Sequence, residues 1–328
     1  MFHFIKITLI FGSIIMVLAF SGEFLLQQRY MWTHEAPGDE IELQDGTVLH
    51  ANKEGLPDGP IIVFENGSGM TSSSWDKVTR KLHDDATVIT YDRAGYGWSG
   101  AAKAKRTPDN IVNELNELLI RLDVDQPVIL VGHSLGGMYA RLFAEKYPER
   151  VEQLVLIDAR PETFSQQTDA IFKSADVDPL RTGSPSKEVL SLMKASGLVR
   201  LMQDKVLTGI PEEYRPEVLN VDYRKKFFYA KEEELDYLYE MNESLNSQKF
   251  DILVHIFAHT EKSKLQEIGL SAEQELMIEQ AWQQGQEKLK ELSSQSVFRL
   301  VPKAGHIIQQ DNPKFLVREL QAILMEKQ

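Results

Sequence analysis

Short runs of hydrophobic, mostly β-branched residues recur between residues 60 and 301, and longer stretches with helical spacing separate them. Runs of this kind predict strands that are covered on both faces, and their alternation with helices is typical of a mostly parallel sheet. The predicted strands are residues 60–65, 86–91, 127–131, 154–158, 252–257 and 297–301. The pattern therefore predicts an α/β fold.

Helical spacing is clear in residues 109–122, which follow a favourable helix start at Thr107 and Pro108. The apolar side chains of this segment fall on one face, namely Ile111, Leu115, Leu118, Leu119 and Leu122. Two further helices are predicted, one running from residue 135 to Tyr147 and one over residues 313–325. These helices are spaced as the connections of a parallel sheet require.

Residues 160–249 interrupt the alternation of strands and helices. They are rich in charge, carry Pro179, Pro185, Pro211 and Pro216 and show helical patches such as residues 187–202. A loop of this length without structure of its own is uncommon in a compact domain. We therefore expect a helical lid here, inserted into a core that residues 38–159 and 250–328 form.

The first 28 residues read as a separate unit. Residues 7–22 carry no charge, and the apolar residues before them extend the run to about 20 residues, roughly the thickness of a bilayer. This predicts a transmembrane anchor that places the rest of the chain on the cell membrane, outside the cytoplasm. The alternative is a signal peptide cleaved near Ala19 and Ser21, which would give a secreted protein.

Charge and composition narrow the possible partners. The chain of 328 residues has 49 acidic and 36 basic side chains, a formal charge of −13, which would repel nucleic acid. Cysteine is absent, which excludes disulfides, thiol catalysis and cysteine-bound metal. We expect a small-molecule substrate and contact with a membrane through the N-terminal segment; the composition leaves the oligomeric state open.

The glycine motif of residues 95–100 has the G-x-G-x-x-G spacing of a dinucleotide site. No helix begins at its third glycine, so no helix N-terminus would face a pyrophosphate. We read Asp92 and Arg93 before it as a pair that stabilises the turn. His255 and His259 fall on a strand and its exit rather than on one helical face, so neither a cofactor nor a metal is expected.

Gly132-His133-Ser134-Leu135-Gly136 carries the strongest chemical signal. It follows a predicted strand and opens a predicted helix, the context in which G-x-S-x-G exposes a nucleophilic serine on a sharp turn. Glycines at both ends suit a turn with no room for larger side chains. The motif makes Ser134 the candidate nucleophile.

Serine requires a base within hydrogen-bond distance. His306 is the best candidate among the 8 histidines, because it follows the last predicted strand in a loop that can turn toward the serine. For His133, His255 and His259 we expect packing or solvent contact instead.

With the Ser134 motif, residues 91–99 and Gly305-His306, the chain resembles the α/β-hydrolase fold family, as a membrane-anchored or secreted bacterial-type member. The resemblance covers residues 38–328 and is weakest through residues 160–249. It implies a mostly parallel eight-stranded sheet with helices on both faces. It also implies an oxyanion hole from the amides of Ser68 and Leu135, in a loop where Asn66 replaces the family's usual histidine.

The family's third catalytic residue is an acid, and two residues compete for this role. The usual place, after the seventh strand, offers Glu261, whereas some relatives use the end of the sixth strand, where Asp158 stands. We favour Asp158 because it ends an apolar strand, while Glu261 lies in a charged run. Either acid would accept a hydrogen bond from His306.

The resemblance implies hydrolysis of a carboxylic ester or similar acyl bond through a Ser134 acyl-enzyme. Lipase-like, C–C bond hydrolase and peptidase activities are alternatives within the same fold, and a non-hydrolytic binding or sensor protein is the alternative from another class. Met70, Trp75 and Met138, near the motifs, are the candidates for substrate contact.

Overall fold

Eight strands form one sheet in the structure, a computed structural model that describes residues 2–178, 185–207, 210, 212–245 and 249–325. The sheet order is β1-β2-β4-β3-β5-β6-β7-β8, and all pairs are parallel except β1–β2 and β2–β4. The strands are β1 Asp39–Glu42, β2 Val48–Gly55, β3 Ile61–Glu65, β4 Thr87–Tyr91, β5 Val128–His133, β6 Val151–Ile157, β7 Leu253–His259 and β8 Ser296–Val301. This confirms the expected mostly parallel α/β sheet.

Helices connect the strands and cover the sheet. They are α1 Phe2–Thr33, α2 Asp76–Thr79, α3 Pro108–Arg121, α4 Leu135–Lys146, α5 Phe164–Ser174, α6 Lys187–Ala195, α7 Leu198–Leu201, α8 Gln203–Val206, α9 Arg215–Glu217, α10 Lys225–Asp236, α11 Leu238–Ser244, α12 Ala272–Lys288, α13 Ile308–Asp311 and α14 Pro313–Met325. A π-helical turn spans Val218–Asp222, and 3₁₀ turns span Ser72–Trp75, Pro148–Arg150, Glu212–Tyr214, Leu265–Ile268 and Leu289–Leu292.

Two apolar layers fix the sheet, one on each face. Side chains of α3 and α4 pack on one face, and side chains of α2 and α14 pack on the other. Helix α3 begins at Pro108 after Thr107, whose hydroxyl accepts a hydrogen bond from the Asn110 amide. The predicted helix is thus present and shifted by one residue.

The two strands that the hydrophobic pattern missed, β1 and β2, form one end of the sheet, with β1 at its edge. β1 exposes three of its four residues, and β2 ends in three exposed residues. Because edge strands face solvent, their polar side chains hide the pattern that identifies buried strands.

The segment between β6 and β7 is helical, as far as the structure describes it. Its first helix, α5, packs against α12 of the core in an apolar cluster of its own. The predicted helix over residues 187–202 is divided at Gly197, whose φ of +77° suits a glycine. Pro179 and Pro211 of this segment lie outside the described residues.

Helix α1 is the one candidate membrane span among the described residues. Residues Ile10–Thr33 have a mean hydropathy of 1.8, and almost none of this stretch is buried against the protein. Length and composition alone carry this assignment.

Candidate active site

Ser134 lies on the turn between β5 and α4, in a conformation that side chains rarely adopt. Its φ is +52° and its ψ is −120°. The turn is tight, because a Cβ at Gly136 would lie 2.4 Å from the Asn66 carbonyl oxygen and one at Gly132 would lie 2.6 Å from the Gly136 oxygen. Glycine at both positions therefore permits the turn that presents Ser134 at the carboxyl end of the sheet.

His306 reaches Ser134 from the loop after β8. Its Nε2 lies 3.0 Å from Ser134 Oγ, and its Nδ1 lies 2.6 Å from Asp158 Oδ2. The strand order places β5, β6, β7 and β8 side by side, so the carboxyl ends of four parallel strands bring these groups together. An imidazole in this position can accept the hydroxyl proton and share the resulting charge with the carboxylate.

Asp158 is completely buried just after β6, with a φ of +42°. Besides His306, its carboxylate accepts hydrogen bonds from the His259 ring, the His259 amide and the Trp282 indole. Burial alone would raise the pKa of Asp158, but the hydrogen bonds from His259 and His306 hold it well below its usual range. Glu261 is exposed on the loop after β7, and the residue beside His306 is Asp158.

His259 is the residue that the sequence reading underestimated. It is buried, with Nδ1 2.7 Å from Asp158 Oδ2 and Nε2 2.8 Å from Glu279 Oε1. Burial alone would lower the pKa of His259, but its bonds to Asp158 and Glu279 raise it to about 10. The His259 ring is therefore an imidazolium at neutral pH, and it contacts the Asp158 carboxylate. His259 ends β7, the strand that pairs with β6. The carboxyl ends of neighbouring parallel strands lie at the same edge of the sheet, so this position was the sequence signal that could have placed His259 near Asp158.

His133 forms a hydrogen bond to the backbone of the loop that contains His306. Its Nε2 donates to the His306 carbonyl oxygen at 2.9 Å, and the two rings lie 4.9 Å apart. Burial and the nearby His306 lower the pKa of His133 to about 3, so this ring is neutral. His255 is buried beside Gln153, with which it shares a 3.1 Å hydrogen bond.

The loop that contains Ser68 is held by a buried ion-pair network. Arg93 donates to Glu65 at 2.6 Å, to the carbonyl oxygens of Asn66 and Gly67, and to Glu234 of α10. Asn66 itself donates to the Tyr91 carbonyl at 2.7 Å. Arg93 thus fixes the loop backbone, which determines where the Ser68 amide points.

Ser68 and Leu135 supply the amides expected to form an oxyanion hole. Leu135 is the first residue of α4, where the backbone N–H groups have no partner inside the helix. Among the described residues, the Ser68 amide donates to no acceptor. Both donors are therefore available to an oxyanion.

Asp92 and Arg93 do not form the pair that the sequence reading gave them. Asp92 accepts hydrogen bonds from the amides of Ser72 and Trp98, whereas Arg93 bonds to Glu65 and Glu234. The reason is that other partners occupy both side chains: backbone amides bind the Asp92 carboxylate, and buried carboxylates bind the Arg93 guanidinium. Helix α3 begins only at Pro108, so no helix starts at the glycine motif of residues 95–100.

A cavity of about 280 Å³ borders the loop of Ser68. Met70 lines it together with Ile307, the residue after His306. The other two candidates for substrate contact are Trp75 and Met138. Both are completely buried in the two core layers, because their side chains pack against the sheet. Of the three candidates, Met70 is therefore the one that faces the cavity.

Asp222 also lines this cavity and retains 7% exposure. Its Oδ1 has no hydrogen-bond partner among the described residues. Burial and the nearby carboxylates of Asp92 and Glu217 raise the pKa of Asp222 to about 8. The cavity therefore contains a carboxyl group that is mostly protonated at neutral pH.

Asp158, His259 and His306 also form a cluster whose potential metal-ligand atoms lie within 4.8 Å of one another. In the structure both ring Nδ1 atoms lie at hydrogen-bond distance from the same carboxylate oxygen. A metal there would replace the hydrogen bond that orients His306, so the donor set suits proton transfer better than metal binding.

Comparison with known proteins relates this geometry to the alpha/beta hydrolase fold. Residues 60–178 match the model of the alpha/beta hydrolase fold. An uncharacterized Bacillus subtilis protein, YqjL, is 40% identical over 114 residues, which are 35% of this chain and 45% of that protein. The chain thus spans less than half the length of this relative.

Two longer matches extend the similarity. The (lyso)-N-acylphosphatidylethanolamine lipase of Mus musculus is 24% identical over 257 residues, 75% of this chain and 70% of that protein. A crystal structure of a hydrolase from Pseudomonas aeruginosa superposes with a TM-score of 0.60 at 16% identity, covering 89% of this chain and 99% of the other. The sheet order, the Ser134 turn and the matched residues together show that the chain has the alpha/beta hydrolase fold.

Proposed function

We propose that this chain is a serine hydrolase that cleaves carboxylic esters or similar acyl bonds, with Ser134 as nucleophile, His306 as general base and Asp158 as the acid. The observation that carries the proposal is the chain of two hydrogen bonds, 3.0 Å from Ser134 to His306 and 2.6 Å from His306 to Asp158. Asp158 orients the imidazole and stabilises its charged form.

In the proposed reaction His306 Nε2 takes the Ser134 proton while the serine oxygen attacks the carbonyl carbon. The amides of Ser68 and Leu135 hold the resulting oxyanion, and each is worth about 3 kcal/mol of transition-state stabilisation. His306 then gives its proton to the leaving alcohol. A water molecule, activated by His306, releases the acid from Ser134 and restores the enzyme.

Ester hydrolysis is favoured over other reactions of the fold by the nucleophile. An aspartate at this position would indicate dehalogenation or epoxide opening, whereas serine indicates acyl transfer. The name of the mouse relative, a lipase, describes cleavage of an acyl bond and supports the same class for this chain. Lipase-like, C–C bond hydrolase and peptidase activities remain as alternatives, and α1 is proposed to anchor the enzyme with its catalytic domain outside the cytoplasm.

A panel of chromogenic esters tests the proposal on the full chain in detergent. We expect wild-type hydrolysis and a loss of at least about 10³-fold in kcat for Ser134→Ala. Ser174→Ala is the matched control, because Ser174 is exposed at the end of α5 and should keep full activity. Hydrolysis that survives in Ser134→Ala, or no hydrolysis and no labelling by a fluorophosphonate probe, would refute the enzyme assignment.

A further inference from the structure

The outer end of α1 is joined to the helical segment between β6 and β7 by a buried ion pair. Glu23, which is buried, accepts hydrogen bonds from Lys194 of α6 and from Arg200 of α7 at 2.7 Å. One turn further along α1, Gln27 donates to the Asn220 carbonyl at 3.1 Å. Separating a buried ion pair leaves an uncompensated buried charge, so α6 and α7 are held at a fixed position on α1.

The length of α1 places this junction near a membrane surface. Its 32 residues make a helix about 48 Å long, whereas the hydrocarbon core of a bilayer is about 30 Å thick. Residues 7–22 of α1 carry no charge, so a span that begins near the N-terminus ends about 20 residues later at Glu23, the first charged residue after Lys6. The helices bound to Glu23 would lie at the level of the lipid headgroups.

The bound helices expose apolar side chains of the kind that enter a lipid surface. Six of the fifteen large hydrophobic side chains exposed outside α1, among the described residues, lie between residues 189 and 206. They are Val189, Leu192, Leu198, Leu201, Met202 and Val206. Leu201 is 85% exposed and directly follows Arg200, the partner of Glu23. Such a concentration of exposed apolar groups is unusual on a surface that faces water.

The charge at this junction is also suited to a bilayer. The exposed Lys225 lines a cleft between α1 and the helices α6 and α10. Its ammonium forms no ion pair with a carboxylate in the described part of the chain, although the protein as a whole has a formal charge of −13. Glu23, in the same cleft, is already neutralised by Lys194 and Arg200. The cleft therefore offers positive charge to anionic headgroups.

We propose that α6, α7 and α8 form a second membrane-contacting surface, which rests in the lipid–water interface beside the α1 anchor. The same helical segment supplies Tyr214 and Val218 to the cavity beside Ser68. A corollary, which rests on the proposed hydrolase function, is that amphiphilic acyl substrates reach this cavity from the bilayer.

Site-specific fluorescence tests this surface, because the chain contains no cysteine and each introduced thiol is unique. Leu201→Cys and Leu300→Cys are labelled with an environment-sensitive fluorophore in the full chain, which is reconstituted into phosphatidylcholine–phosphatidylglycerol vesicles. Leu300 is 53% exposed on β8, at the sheet edge opposite β1, and is the matched control.

We expect nitroxide-bearing lipids to quench the label at position 201 by at least about 2-fold and to leave the label at position 300 unchanged. Aqueous iodide should quench the label at position 300 and leave the label at position 201 unchanged. Equal lipid quenching at both positions, or iodide access at position 201 equal to that at position 300, would overturn the proposal. Circular dichroism verifies that both variants are folded.

Activity tests the corollary separately. In Leu192→Asp/Leu201→Asp we expect hydrolysis of a long-chain ester embedded in vesicles to fall about 10-fold, while hydrolysis of a soluble short-chain ester stays unchanged. Lipid quenching with an unchanged vesicle rate would overturn the corollary alone. Absence of serine-dependent hydrolysis on both esters would instead refute the proposed function, and the quenching result would still decide the surface.

Discussion

Asp158 beside His306 and Asp222 in the cavity are both buried carboxyl groups, and their surroundings are opposite. Asp158 accepts hydrogen bonds from two histidine rings, an indole and an amide, whereas Asp222 Oδ1 has no partner among the described residues. The pKa of Asp158 lies well below its usual range and the pKa of Asp222 is about 8. Burial is common to both, so donors and neighbouring charges decide which carboxyl is ionised.

The two carboxyl groups therefore have different chemical properties at neutral pH. Asp158 is charged throughout the neutral range and can stabilise an imidazolium on His306. Asp222 is mostly neutral at pH 7 and is able both to donate and to accept a hydrogen bond inside the cavity. The four variants below change one side of this comparison at a time.

Replacing the ionised carboxylate should have the largest effect. Asp158→Asn keeps the shape of the side chain but removes the charge and favours the wrong His306 tautomer, so kcat should fall about 10³–10⁴-fold. Steady-state hydrolysis of a chromogenic ester measures this. Glu261→Gln is the matched control and should change kcat less than about 3-fold; the opposite ranking would transfer the acid role to Glu261.

Removing the imidazolium behind Asp158 should change pH dependence. In His259→Gln the negative charge of Asp158 is no longer shared, so the His306 imidazolium is more stable and the acid limb of the kcat/KM–pH profile moves to higher pH. A profile measured from pH 5 to pH 9 checks this. An unchanged acid limb would show that His259 only fills space.

The same variant should also change stability with pH. The pKa of His259 is about 10 in the folded state against about 6.5 unfolded. Its contribution to the free energy of unfolding is therefore fully present below about pH 6.5 and is lost as the pH rises through about 10. The difference in Tm between wild type and His259→Gln should shrink over that range.

Neutralising the unpartnered carboxyl should stabilise the protein at high pH. The pKa of Asp222 is about 8 folded and about 3.9 unfolded, so ionisation costs stability progressively as the pH rises from about 4 to about 8. The groups that face Asp222 are Asp92, Glu217, Arg224 and Lys226. Asp222→Asn should therefore exceed the wild-type Tm by roughly 3 °C above pH 8 and match it near pH 4. A lower Tm for the variant at pH 9 would mean that Asp222 has a partner when folded.

The smallest effect concerns a single neutral donor. Trp282→Phe removes the indole bond to Asp158 Oδ1, 3.1 Å long, and leaves both histidine bonds in place. Loss of about 1 kcal/mol corresponds to a kcat reduction of about 3–10-fold. Ester kinetics of the variant measure the reduction. A loss as large as that of Asp158→Asn would mean that the indole, rather than the two histidine rings, is the hydrogen-bond donor that keeps Asp158 functional.

Local patterns in the sequence were sufficient for the buried strands, for α3 and α14 and for the Ser134 turn, because each is encoded by neighbouring residues. The contacts of Asp158 were harder to predict, since they join residues more than a hundred positions apart through the order of the strands. His259 illustrates this limit: it is adjacent to Asp158 because β7 pairs with β6, and no local motif records that pairing.

Substrate contacts escaped prediction for a related reason. Trp75 and Met138 lie near the motifs in sequence, but core packing buries them, whereas Asp222 comes from the helical segment far along the chain. Whether an apolar residue meets substrate or core depends on the packing of several elements. A pattern of hydrophobic positions does not distinguish a core residue from a residue that contacts substrate.

Mass spectrometry of the covalent intermediate tests the central claim most directly. The full chain is incubated with a fluorophosphonate and digested, and the modified peptide is sequenced. We expect one adduct, on Ser134, that is absent in Ser134→Ala and forms at least about 10²-fold more slowly in Asp158→Asn. An adduct on a different residue, or equal labelling of Ser134→Ala and wild type, would contradict the account.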